Sequence, residues 1–324
     1  MTHDAIPVIV LGGTGYVAGE LLRLLVQHPQ LDIHGVLSES SAGQAIGATF
    51  PQLAAALGDT RFLSKDTLLE NMPAGQRCAL FSAAPHGASA AIVDHFLNRA
   101  DEIATALTVV DVSADFRYAT AEAYASVYGQ PHGAPQRLTQ FASALPEHAD
   151  LSDAKHIGHP GCFATAMLLG AVPLLDSGIC EVDLHATGIT GSTGSGRSPT
   201  AGTHHPERHS NLFAYKPLAH RHAPEVTAIC EQVTGTAPRL HFVPHSGPFA
   251  RGIHMTLQAK LCKPTTTDQV LDVFQRFYAD SAFVSVTDTL PRIKNVVGSN
   301  RAQISATADD GAVAVMIVID NLVK

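Results

Sequence analysis

Residues 6–20, IPVIVLGGTGYVAGE, carry the pattern that sets the architecture of the first half of the chain. Ile6–Leu11 is a short, continuous apolar run of the kind a parallel strand shows when both its faces are covered. The glycine cluster Gly12-Gly13-Thr14-Gly15 follows at once. LLRLLVQHP, residues 21–29, then has helical apolar spacing that stops at Pro29, and LDIHGVL, residues 31–37, is a second strand. Strand, glycine loop, helix and strand in that order make one βαβ unit. RCALFSAAPHG (77–87) supplies another strand ending in a Gly/Pro loop, AAIVDHFLNRA (90–100) a helix, and LTVVDVSADFR (107–117) a further strand and loop. This alternation predicts a doubly wound parallel sheet.

Beyond about residue 155 the pattern changes. HPGCFAT (159–165) leads into the apolar segment AMLLGAVPLL, which reads as a buried helix. CEVDLHATGIT (180–190), RLHFVPHS (239–246), GIHMTLQAKL (252–261), FVSVTD (283–288) and GAVAVMIVID (311–320) read as strands, with a helix over 266–281. They predict an α+β domain on a mostly antiparallel sheet. The stretch 191–211, GSTGSGRSPTAGTHHPERHSN, is too rich in Gly, Ser, Pro and His for a regular element. A long structureless loop in a compact domain is usually functional.

Composition sets limits. The 324 residues suggest about two domains at roughly 100–200 residues each. With 45% hydrophobic and 15% charged residues the chain has a globular composition, and a formal net charge of -8 speaks against nucleic acid as a partner. No apolar run is long enough to span a bilayer, so no membrane partner is expected. The start lacks a basic n-region, so no signal peptide is expected and the expected location is the cytoplasm. Five cysteines, widely spaced and without a C-x-x-C pair, fit a reducing compartment and no zinc ribbon.

Three groups of residues carry chemistry. Gly13, Gly15 and Ala18 fit a G-x-G-x-x-A pattern between a strand and a helix, where the backbone approaches a pyrophosphate at the helix N-terminus. The expected nucleotide contacts run from Gly12 through Gly13, Thr14, Gly15 and Tyr16 to Val17. At the end of the second strand, hydroxyls of Ser38, Ser40 and Ser41 suit a ribose 2′-phosphate, whereas Glu39 suits a free 2′-OH. The residues alone leave NADP against NAD open.

Cys162 is the second. It follows a Pro-Gly bend at the start of a helix, where free N–H groups and the dipole favour a thiolate nucleophile. YKPLAHRHAPE, residues 215–225, adds His220, His222 and Glu225. An imidazole moves protons near neutral pH, and Glu225 is placed to orient one. The bland alternatives are a core cysteine and a histidine-rich surface turn. A metal site with His204, His205 or His209 has no supporting spacing, and none is expected.

The third group is cationic and hydroxylic: Ser113 and Arg117 at the end of a parallel strand, Ser195 and Arg197 in the glycine-rich loop, and Arg251 after PHSGPFA. Arginine forks suit carboxylate and phosphate, so a small anionic substrate is expected.

Taken together, GGTGYVAGEL (12–21), APHG (84–87), VDVSADFR (110–117), HPGCFAT (159–165), TGSGRSP (193–199), YKPLAHRHAPE (215–225), PHSGPFARG (244–252), GSN (298–300) and IDNLVK (319–324) resemble the N-acetyl-gamma-glutamyl-phosphate reductase family, akin to aspartate-semialdehyde dehydrogenases. The resemblance implies a Rossmann-type doubly wound sheet at 1–158 and a semialdehyde dehydrogenase-like α+β catalytic and oligomerisation domain at 159–299. The segment of about 300–324 is allowed to return to the first domain. It implies NADPH as reductant, with Pro85, Gly194 and Asn321 added to the cofactor site. It also implies a Cys162 thioester, proton transfer by His220 or His222, and a homo-oligomer, dimer or tetramer. Two departures stand out. Ala18-Gly19 shifts the family glycine by one position, and Glu39 stands where an arginine is common. The family pattern also continues past Lys324 with a Gly-rich turn and a helix that packs on the nucleotide domain, and a chain that lacks this segment is expected to bind the cofactor more weakly. Rival readings are a related acyl-phosphate reductase, acting on aspartyl phosphate, a glyceryl phosphate or a carrier-linked amino-adipyl phosphate, and a non-catalytic nucleotide-binding regulator.

Overall fold

The computed structural model describes residues 5–324. The chain forms two compact units. One runs to Ala144 and takes back Leu151–His159; the other comprises Leu145–Asp150 and Pro160–Lys324.

In the first unit, β1 (Ile6–Leu11), β2 (Leu31–Val36), β3 (Arg77–Ser82), β4 (Ala106–Asp111), β5 (Phe141–Ala142) and β6 (His156–Gly158) form one sheet in the order β2-β1-β3-β4-β6-β5. Every pairing is parallel. Alternate residues of β1 enter different cores. Val8 and Val10 pack with Leu22, Phe50 and Phe62, while Ile9 and Leu11 pack with Leu80, Phe96 and Val109. Both faces are therefore covered, one by the helix Tyr16–Leu25 and the other by the helix Ser89–Glu102, which is why β1 reads as an unbroken apolar run.

In the second unit, β7 (Cys180–Thr190), β8 (Phe213–Ala214), β9 (Arg239–Ser246), β10 (Ile253–Leu261), β11 (Val284–Val286), β12 (Ala302–Asp309) and β13 (Ala312–Ile319) form a sheet in the order β11-β12-β13-β10-β7-β9-β8. Four of its six pairings are antiparallel, and β11–β12 and β7–β9 are parallel. β10 buries Ile253, Met255, Leu257 and Ala259 in period two against the helix Cys162–Asp176, in one core with residues of the helices His222–Thr234 and Thr267–Phe277. The Cys162 helix is buried on all sides from Phe163 to Leu175, as a helix apolar all round must be.

Two elements run against the sequence expectation. The segment 300–324 does not return to the first unit; β12 and β13 lie inside the second sheet, with β13 paired to β10 and β12. β12 escapes sequence reading because two of its inward residues, Ala302 and Ala306, are alanines, which carry little β-propensity. The stretch 191–211 contains short turns, Ser192–Ser195, Ala201–Thr203 and His205–Arg208, rather than being wholly structureless.

Candidate active site

Cys162 is the first residue of its helix. Gly161 is the N-cap and offers no side chain, and no acidic residue lies in the first turn. Thr165 N–H donates to Gly161 O at 2.7 Å, so the turn is closed. The thiol is half-buried and borders an open cavity of about 340 Å³ in the second unit. Three other cysteines are buried with their thiols pushed up by burial: Cys78 to about 11, Cys180 to about 12 and Cys230 to about 12. They are inert structural residues.

His220 and His222 border the same cavity. They flank the start of the helix His222–Thr234, to which the sequence analysis assigned no element because Pro224 and the imidazoles mask it. A proline in the first turn is compatible with a helix. The two rings meet edge-on, with centroids 4.7 Å apart. His220 Nδ1 accepts from His222 N–H at 3.2 Å, so neutral His220 carries its proton on Nε2. Burial, with Arg221 and Lys216 adding to it, lowers the His220 pKa to about 4. Glu225 is fully buried in the first turn of that helix, and its Oε1 accepts from Gly161 N–H at 2.7 Å. One carboxylate thus ties the starts of two helices together.

Gly194 and Ser195 line the cavity, and Arg197 next to them is exposed. Tyr215, Lys216, Arg221, Thr190 and Ser246 also line it, and the sequence reading gave none of them a role. Lys216 has φ +44°, a strained value for a non-glycine residue that often marks a functional position. Burial and the neighbouring Cys162 charge both raise the Tyr215 phenol. Arg251 is not a free anion binder. Its guanidinium is paired with the buried Asp320 at 2.9 and 3.1 Å, a contact 69 residues away in sequence that no local pattern shows. Asn321 is engaged at both ends, accepting from Gly252 N–H at 2.7 Å and donating to Thr193 Oγ1 at 3.0 Å.

The remaining expected residues lie in the first unit. Gly12 has φ +70°, and a Cβ there would lie 2.3 Å from Ala83 O; at Gly13 it would lie 2.5 Å from Val36 Cγ1. Neither position has room for a Cβ: backbone closes on Gly12, and the Val36 side chain with the Leu37 carbonyl at 2.9 Å closes on Gly13. Gly15 is the N-cap of the helix Tyr16–Leu25; a Cβ there would meet nothing closer than Gly12 O at 3.5 Å. The loop is therefore open above an uncapped helix start that holds Thr14, Tyr16 and Val17, which is the opening a dinucleotide pyrophosphate fills. Gly19 packs on the Phe50 ring, where a Cβ would lie 2.6 Å from Cε1, so the shifted glycine serves helix packing. Pro85 O accepts from Ala88 and Ser89 N–H and closes the loop after β3.

Ser38 is buried with its Oγ 3.5 Å from Ser40 Oγ, and Ser41 closes the following turn. Glu39 Oε1 accepts from Lys65 N–H at 2.8 Å, which fastens it to the first residue of the helix Lys65–Glu70. Ser113 donates to Asp111 at 2.6 Å and accepts from Asp115 N–H at 3.1 Å. Arg117 donates to His159 O and Val112 O, both at 2.9 Å. Both residues are buried and brace the end of β4.

Two family models match the chain in order: "Semialdehyde dehydrogenase, NAD binding domain" over residues 7–141 and "Semialdehyde dehydrogenase, dimerisation domain" over 162–321. Aspartate semialdehyde dehydrogenase II from Vibrio cholerae shares the fold at a TM-score of 0.69 and 14% identity, over 99% of this chain and 94% of that one. The Candida albicans aspartate semialdehyde dehydrogenase, solved with NADP, does so at 0.65 and 13%, over 98% and 93%. Fold and site together define a protein of the semialdehyde dehydrogenase class. The N-acetyl-gamma-glutamyl-phosphate reductase of Pseudomonas aeruginosa is 38% identical over 98% of this chain and 91% of its own length. That of Acidithiobacillus ferrooxidans is 36% identical over 97% and 90%. The chain belongs to the N-acetyl-gamma-glutamyl-phosphate reductase family.

Proposed function

We propose that this chain reduces N-acetyl-L-glutamyl 5-phosphate to N-acetyl-L-glutamate 5-semialdehyde and phosphate in arginine biosynthesis, with NADPH as reductant. The observation that carries the reading is Cys162, first residue of a buried helix, bordering one cavity with His220 and His222. The Cys162 thiolate attacks the acyl carbon, a C–S bond forms, and phosphate leaves with the C–O electron pair. The nicotinamide, when bound, supplies the hydride that reduces this thioester. An imidazole that protonates the resulting oxyanion takes that proton back as the C–S bond breaks, which releases the aldehyde and returns the thiolate. Of the two histidines we assign the proton transfers to His222. His220 has Nδ1 engaged and a pKa near 4, which removes it from proton exchange at neutral pH.

The open glycine loop at Gly12–Gly15 and its uncapped helix support the nucleotide site. Glu39, fastened to Lys65 N–H, is turned to a helix start, which supports NADP over NAD. The dimerisation-domain match supports a homo-oligomer. No described helix is long and apolar enough to cross a membrane, which agrees with a cytoplasmic site of action.

The covalent step is tested by mixing the chain with N-acetylglutamate semialdehyde and NADP without phosphate, then weighing the intact protein. An N-acetylglutamyl adduct on Cys162, discharged by added phosphate, is expected. Phosphate-dependent turnover with no adduct on Cys162 sinks the thioester.

A further inference from the structure

Arg208 ends the short helix His205–Arg208 and is 8% exposed. Its guanidinium donates to Ser246 Oγ and to the carbonyls of Gly247 and Phe249. All three acceptors are neutral. No carboxylate among the described residues pairs with it, and its buried Nε has no partner. Burial lowers its pKa. A buried guanidinium is normally matched by an anion, because desolvating an uncompensated charge is costly. Here no described residue supplies that anion.

Ser246 links this charge to the cavity. It is 6% exposed and lines the same cavity as Cys162 and His222. Its oxygen already accepts from Arg208, and its own O–H has no acceptor among the described residues. The hydroxyl hydrogen is therefore free to point to the cavity side, backed by a cation. A charge-assisted donor of this kind selects an oxyanion.

We propose that Ser246 and Arg208 form an oxyanion subsite of the cavity. Ser246 O–H donates to an oxygen of the substrate, and Arg208 acts through Ser246 as a positioning residue that balances the charge. The oxyanion is either the carboxylate of the acyl chain or the phosphate. The inference rests on the acyl-phosphate reading above.

The test uses Ser246→Ala, Arg208→Gln and Arg208→Lys in the full chain, assayed as phosphate-dependent NADP reduction. Two aldehydes are compared: N-acetylglutamate semialdehyde and 4-acetamidobutanal, which lacks the carboxylate. Losing a hydrogen bond to a charged group raises KM about tenfold or more. A rise for the first aldehyde but not the second assigns the carboxylate. A rise in the phosphate KM with both assigns the phosphate. Arg208→Lys should recover most of either effect. Calorimetric binding of inorganic phosphate and of N-acetyl-L-glutamate to the same proteins reads the subsite without turnover. Failure of the native chain to turn over therefore counts against the function alone. Unchanged binding and unchanged KM in Ser246→Ala overturn the subsite, as does an equal loss toward both aldehydes and phosphate with a lowered Tm.

Discussion

Glu225→Ala is the substitution whose consequence the structure fixes most closely. Glu225 is fully buried, and its Oε1 takes the N–H of Gly161 at 2.7 Å. Gly161 is buried and is the N-cap of the Cys162 helix, with no side chain of its own to satisfy that helix start. Alanine deletes the acceptor and leaves a buried N–H unsatisfied, at a cost of about 1.5–3 kcal/mol. For a unit of this size that lowers Tm by about 3–12 °C, at roughly 2–4 °C per kcal/mol. Glu225→Gln keeps an acceptor oxygen in the same place and loses only charge assistance, about 1 kcal/mol or less. Because Gly161 precedes Cys162 directly, loosening it also misplaces the thiol. Displacement of the nucleophile lowers kcat/KM by up to about 100-fold if the whole cost falls on the transition state. Thermal unfolding and the rate of Cys162 alkylation by iodoacetamide, with turnover, measure the three effects. A native Tm and a native alkylation rate in Glu225→Ala refute the argument. Equal damage from alanine and glutamine shows that the charge matters and not the acceptor for Gly161.

Gly12→Ala, with a Cβ 2.3 Å from Ala83 O at φ +70°, should abolish NADPH binding and lower Tm markedly. Gly43→Ala, at φ +81° in open space, should cost about 1 kcal/mol and leave binding near native, as read by NADPH fluorescence. Acid should destabilise the fold. Burial lowers His148, His156 and His220 from 6.5 to about 4, so the unfolded chain takes up protons between those values that the folded chain does not. Their stabilising contribution is complete above about pH 6.5 and is lost as pH falls toward 4. His156→Asn preserves an acceptor for Val109 N–H and should flatten the Tm-against-pH slope over that window; an unchanged slope contradicts the assignment. Glu39→Ala should shift the NADP-to-NAD preference by less than about threefold, since its carboxylate caps Lys65 N–H; a tenfold shift would show that it faces the nucleotide.

Local pattern carried most of the fold. β1 reads as a parallel strand because both its faces are buried, and Cys162 reads as a helix start because Pro160 and Gly161 precede it. β12 was hidden where alanines stand in for β-branched residues, and the helix His222–Thr234 where Pro224 and two histidines obscure its first turn. The site divides along the same line. Cys162, His220, His222, Gly194 and Ser195, which the sequence singles out, border one cavity. The partners of the cations were not legible. Nothing near Arg251 announces Asp320, and nothing near Arg208 announces Ser246, because those pairings exist only after the sheet has formed. Ser113 looks like a ligand donor in sequence and is instead buried against Asp111. Hydroxyl and guanidinium patterns at strand ends do not reveal whether their partner is a ligand or the protein itself.

The proposed acyl-phosphate chemistry depends on the Cys162 thiolate. Its most direct test is the reduction of NADP by N-acetylglutamate semialdehyde, with and without inorganic phosphate, in the native chain and in Cys162→Ala. Activity is expected to require phosphate and to vanish in Cys162→Ala, with an unchanged Tm in the variant. Phosphate-dependent activity that persists without the thiol, or no activity with this aldehyde beside activity with aspartate semialdehyde, would contradict it.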